Sequence, residues 1–125
     1  MSVRPNQIAA LADAIASLQT LTGPADALLR QFFRAHPEAG RADRAFIAEG
    51  VFAWLRRRRS LEALAETASP RALALAVATR ELGLSVRELE PLVSERDAVW
   101  LRAFKTRLAT PLPPAVAAIL RGSGL

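Results

Sequence analysis

The sequence contains no cysteine and no tyrosine, and only one histidine, one methionine and one lysine in 125 residues. Without cysteine there is no disulfide scaffold, no thiolate nucleophile and no thiolate metal cluster. A single histidine leaves too few donors for a zinc site, so no metal is expected. Aromatic residues make up 6% of the chain, and Val and Ile number only 7 and 4, so a sheet would lack the side chains it usually draws on. Long apolar runs are missing as well: the longest, Ala72 to Ala78, is seven residues, against roughly 20 needed to cross a bilayer. Met1 to Gln7 lead into a segment carrying Asp13 and not into an apolar signal-peptide stretch, so a cytoplasmic protein without a membrane partner is expected.

What is present is alanine and leucine, 26 and 19 residues respectively, both strong helix formers. The length is that of one domain, and the composition predicts an all-α fold around one core. Ile8, Leu11, Ile15, Leu18 and Leu21 share a helix face that Gly23-Pro24 ends. A second helix starting at Pro24 is expected to bury Leu28, Leu29, Phe32 and Phe33 and to stop at His36-Pro37. A third opens at Gly40-Arg41-Ala42-Asp43, and its apolar residues, from Phe46 to Leu55, cover most of its circumference, which predicts a central position with neighbours on both sides.

Further on, Ser60 is read as the cap of a short helix carrying Leu61 and Leu64, and Ser69-Pro70 as the start of one that Gly83 closes. Ser85 and Glu88 form a capping box, and Pro91 cuts that helix short. Ser94 with Asp97 starts a helix carrying Val99, Trp100, Leu101, Phe104 and Leu108, ending before Pro111. One more turn or two is expected through Leu120. Residues 1–120 thus read as a single domain, and 121–125 as a linker or frayed C-terminus.

The net charge of +5 is unevenly spread. Residues 1–60 hold 9 Arg against 5 acids, 61–99 hold 4 against 7, and 100–125 hold 3 Arg and 1 Lys with no acid. Basic flanks of this kind fit a polyanionic partner such as RNA, and an alanine-rich, arginine-over-lysine composition fits a GC-biased genome equally well. The strongest polar signal is Arg56-Arg57-Arg58-Arg59. On the third helix, Arg56 and Arg59 fall on the polar arc, whereas Arg57 and Arg58 fall at about 20° and 120° from Phe46, inside the apolar arc. Either the helix ends here or the stems snorkel to solvent. The run reads either as a solvated helix end that complements the dipole or as a phosphate-contacting patch, joined by Arg30, Arg34, Arg41 and Arg44.

Catalytic motifs are lacking. There is no glycine-rich phosphate loop, and His36 has no visible orienting partner. Glu88, Glu90, Glu95 and Asp97 lie in first helical turns, where they offset the dipole, and their charge argues against a helix-turn-helix reader of DNA. Trp54 and Trp100 read as core residues before they read as base-stacking platforms.

The segment Pro24 to Phe33, then "GRADRAFIAEGVFAWLRR" over residues 40–57, then Leu112-Pro113-Pro114-Ala115-Val116, resembles the N-terminal domain of bacterial RsmB-type 16S rRNA (cytosine-C5)-methyltransferases, a domain similar to the antitermination factor NusB. The resemblance implies a NusB-like bundle of six or seven helices. It also implies an accessory, RNA-binding domain that positions ribosomal RNA for a C-terminal catalytic methyltransferase domain using S-adenosylmethionine. This sequence has neither the cysteine nucleophile nor the cofactor motif of that chemistry, so no cofactor and no enzymatic activity are expected of this chain alone. The alternative is a protein-binding or dimerising helical module that never touches RNA. Asp43 and Arg44 match the family's Asp-Arg pair, Asp43 reading as half of a structural ion pair.

Overall fold

In a computed structural model, which describes residues 3–109, the chain is all-α, with seven α-helices and no strand among the described residues. These are α1 (Pro5–Thr20), α2 (Ala25–Ala35), α3 (Arg41–Arg56), α4 (Arg58–Ala65), α5 (Pro70–Ala76), α6 (Val86–Leu89) and α7 (Glu95–Ala109). No helix among the described residues is long and apolar enough to cross a membrane. The expected turn towards Leu120 and the linker over 121–125 lie outside the described residues.

The buried side chains form one cluster that draws on every helix. Its hub is α1 against α5, with α3 packed on α1 and on the turn that continues α5, and α7 on α5. The third helix has its two neighbours, α1 and the turn following α5, but α1 and α5 hold the centre. Alanine makes this possible: Ala74, Ala76 and Ala78 are solvent-free, and short side chains let helix axes approach closely. Gly50 goes further. A Cβ there would stand 2.7 Å from Leu11 Cδ1, so the α1–α3 contact needs a residue without one.

Local chemistry sets the helix ends. Pro5 occupies the first position of α1, and Gln7 Oε1 accepts from the Arg4 N–H at 2.8 Å, an N-terminal pair the sequence reading passed over. Pro24 sits one place earlier than expected, as the residue capping α2. Ser60 is not a cap: α4 begins two residues before it, and Ser60 is buried inside the helix. The capping box is present, with Ser85 Oγ accepting from the Glu88 N–H and Glu88 Oε1 from the Ser85 N–H, both at 3.0 Å. These bonds favour the charged form of Glu88 and hold its carboxyl below the usual glutamate range.

After α5 the chain makes a π-helical turn, Val77–Glu81, in which the Leu82 N–H reaches Val77 O at 2.9 Å. Thr79 Oγ1 donates to the carbonyls of Leu75 and Ala76 at 3.1 Å each, a back-bonding that competes with the regular ladder. Gly83, at φ +75°, then supplies the left-handed residue that ends the segment.

Candidate nucleic-acid interface

Arg30, Phe33 and Arg34 are three and four residues apart on α2, which puts them on one face. Pro37 ends that helix, and α3 returns so that Arg44 approaches the same face, its guanidinium 5.9 Å from the Phe33 ring centre. Arg30, Phe33, Arg34, Pro37 and Arg44 line an open depression of about 380 Å³. None of its lining residues is acidic. Phe33, like Leu28, is half-buried at the edge of the core and not fully buried as the apolar stripe predicted, and it meets the buried Phe32 edge-on at 5.9 Å. It was missed as a wall of this site because the stripe absorbed it. The signal was its position between Arg30 and Arg34.

The four-arginine run behaves differently. The α-helix ends at Arg56, and Arg57 leaves helical geometry at φ −120°, which decides between ending and snorkelling for α3. Arg57 Nε approaches Glu81 Oε1 at 3.7 Å, and Arg58 Nε donates to Glu62 Oε1 at 3.0 Å while its guanidinium lies 4.9 Å from the Trp54 ring centre. Arg56 and Arg59 are exposed, with no carboxylate partner among the described residues. Arg41, at the start of α3, is likewise exposed and without one. Arg44 and Arg56 are twelve residues apart, about 18 Å along the helix at 1.5 Å per residue. The eight arginines therefore form two groups at opposite ends of α3, not one patch.

Asp43 belongs to the scaffold. Its Oδ1 takes Arg4 Nη2 at 2.6 Å and Gln7 Nε2 at 3.0 Å, tying the head of α3 to that of α1, whereas Arg44 turns to Phe33. Desolvation pushes the Asp43 carboxyl up, but the bonds from Arg4 and Gln7, the Arg4 charge and the Gly40 N–H outweigh it, and the net shift is downward. His36 does gain an orienting partner, with Nδ1 at 3.1 Å from Glu38 Oε1 and its ring stacked on Phe32 at 4.3 Å. Glu38 is held below the usual glutamate range by its own backbone N–H and by His36. The pair is exposed and next to no nucleophile.

Trp54 is fully buried and its Nε1 finds no acceptor among the described residues, so it offers no stacking face. Trp100 is half-buried, stacked on Phe104 at 5.0 Å with 12° between ring planes. No group of three or more acidic or histidine side chains suited to a metal occurs among the described residues. No protein family matches this chain, and comparison with curated proteins and with solved structures found no match either.

Proposed function

We propose that the chain is an RNA-binding accessory domain, NusB-like in fold, that positions ribosomal RNA for an S-adenosylmethionine-dependent cytosine-C5 methyltransferase domain outside these 125 residues. The observation that carries the reading is the acid-free depression of Arg30, Arg34 and Arg44 around a half-buried Phe33. Three guanidiniums at one concavity repel each other and have no carboxylate partner among the described residues, whereas a phosphate backbone offers each a charge-assisted, bidentate partner. Phe33 adds an apolar face on which a base or ribose rests. Arg41 adds to this charge at the head of α3, and Arg56 and Arg59 form a second, separate group around the α3–α4 corner. Arg57 and Arg58 contribute less, because Glu62 accepts from Arg58 and Glu81, shared with Arg80, stands 3.7 Å from Arg57. The resemblance to the methyltransferase family supplies the enzyme class, and the chain itself brings no cysteine nucleophile.

The test is a fluorescence-anisotropy titration with a ribosomal-RNA hairpin at 50 and 200 mM salt. Neutralising about five phosphates, three in the depression and two at Arg56 and Arg59, gives a log–log salt slope of roughly −3.5, a loss of about 130-fold in affinity across that range. Changing Arg30, Arg34 and Arg44 together to Gln is expected to bring the slope to about −1.4 and to weaken binding about 500-fold at 50 mM salt. Helical circular dichroism should stay unchanged. A slope near zero in the unmodified protein would sink the reading and favour a module that binds protein.

A further inference from the structure

A larger concavity lies elsewhere, between α7 and the turn joining α4 to α5. It encloses about 620 Å³ and is lined by Arg71, Arg96, Asp97, Trp100 and Arg107, with Glu66, Thr67 and Ser69 among the turn residues. Two ion pairs brace its walls. Arg71 donates through Nε and Nη2 to Asp97 Oδ2 at 3.1 and 2.8 Å, and Arg107 Nη1 meets Glu66 Oε2 at 3.0 Å. Glu66 holds a left-handed backbone at φ 58°, a conformation that costs a non-glycine residue energy and marks a turn imposed by its surroundings. Of the three lining arginines, Arg96 alone has no carboxylate partner among the described residues, and it is exposed.

Arg96, Trp100 and Phe104 are spaced four apart on α7, so their side chains stand one above another along a single face. Phe104 covers one side of the indole and the Arg107 guanidinium stands 5.9 Å from its ring centre, while the half-buried Trp100 lines the same cavity as Arg96. A flat aromatic face beside one uncompensated guanidinium fits a group that is itself a flat ring attached to an anion. We infer that this groove binds a single unstacked nucleotide, its base on Trp100 and its phosphate on Arg96. An acidic peptide would satisfy Arg96 but leave the indole face uncovered. The inference rests on the RNA-binding reading only for the source of the nucleotide.

Intrinsic fluorescence reads the site directly, because Trp54 is buried and Trp100 is the accessible indole. The full chain is titrated with cytidine monophosphate, with a single-stranded seven-nucleotide RNA, and with ribose 5-phosphate. Saturable quenching by the first two and none by the third is expected, with both affinities about tenfold weaker in Arg96→Gln, the equivalent of one charge-assisted contact. Tighter quenching by the oligonucleotide identifies RNA as the source, and equal affinities identify the free nucleotide. Changing Arg30, Arg34 and Arg44 to Gln should abolish the steep salt dependence of hairpin binding yet leave quenching by cytidine monophosphate intact. Quenching that is absent, equal with ribose 5-phosphate, or unaltered in Arg96→Gln overturns the inference. Steep hairpin binding that survives such a result leaves the α2–α3 reading standing.

Discussion

The two halves of this chain use arginine in opposite ways. On α2 and α3, Arg30, Arg34, Arg41, Arg44 and Arg56 are exposed and have no carboxylate partner among the described residues, and the acids of that stretch are spent elsewhere or face solvent: Asp43 on Arg4, Glu38 on His36. From α4 onward nearly the reverse holds. Glu62, Glu66, Glu81, Glu90 and Asp97 each meet an arginine, and Glu88 closes a capping box. Arg71, Arg102 and Arg107 in the second half brace one element against another, worth about 0–1 kcal/mol per exposed pair. In the first half the same residue gives the fold no such return, and its concentration there is intelligible as a field offered to an anion. Total charge says little about function until each cation has been matched with its acid.

That contrast can be broken within a single run of four residues. Changing Arg56 and Arg59 to Gln is expected to flatten the salt slope by about 1.4 and to weaken hairpin binding by roughly 60-fold at 50 mM salt, the equivalent of two phosphates. Changing Arg57 and Arg58 instead should cost less than half as much in log affinity, because Glu81 and Glu62 are already beside them. Anisotropy titrations of the two double variants, side by side, read the difference. Equal losses would mean that the carboxylates do not shield, and that the division of the molecule into two charge regimes has no functional meaning.

A smaller effect is expected from the packing that both halves share. Gly50→Val inserts a branched side chain where even a Cβ stands 2.7 Å from Leu11 Cδ1. Overpacking of this kind costs about 2 kcal/mol, and valine recovers little of it through helix propensity. Urea denaturation should show the shift in midpoint. The RNA salt slope of the folded fraction should stay where it was, since no arginine has moved.

How much of this was legible in sequence follows from what each feature depends on. Helix spacing, the Ser85–Glu88 capping box, the stop at Gly23-Pro24 and the burial of Trp54 are local, and the sequence states them outright. The start of α4 at Arg58 was not legible, because a cap is recognised by a polar side chain, and Arg57 turns the corner without one. Phe33 was misread because amphipathic periodicity records which residues are apolar, not which of them a neighbouring helix covers. The weight given to Arg56–Arg59 had the same origin. Adjacency in sequence is visible, whereas Glu81, twenty-four residues from Arg57, reaches it only through the turn after α5. The arginines of the α2–α3 depression lie on two helices and converge only once the chain has folded.

The smallest effect concerns Asp43, where the two uses of arginine meet. Its folded carboxyl lies below its ordinary value of 3.8, so its pairing stabilises the fold fully above that pH and is lost as pH falls through the depressed folded value. The stability difference between the unmodified protein and Asp43→Asn should therefore be constant above about pH 5 and shrink below about pH 4, as acid titrations followed by circular dichroism would show. RNA binding moves the other way. Without its carboxylate, Arg4, 59% exposed at its side chain, becomes one more uncompensated cation next to α3. The salt slope of Asp43→Asn at neutral pH should hold or steepen by up to about 0.7, the contribution of one phosphate. A variant that is less stable and yet binds RNA at least as well would separate bracing from binding at one residue. A flatter slope would make Asp43 part of the RNA contact and erase the distinction between the two halves at the head of α3.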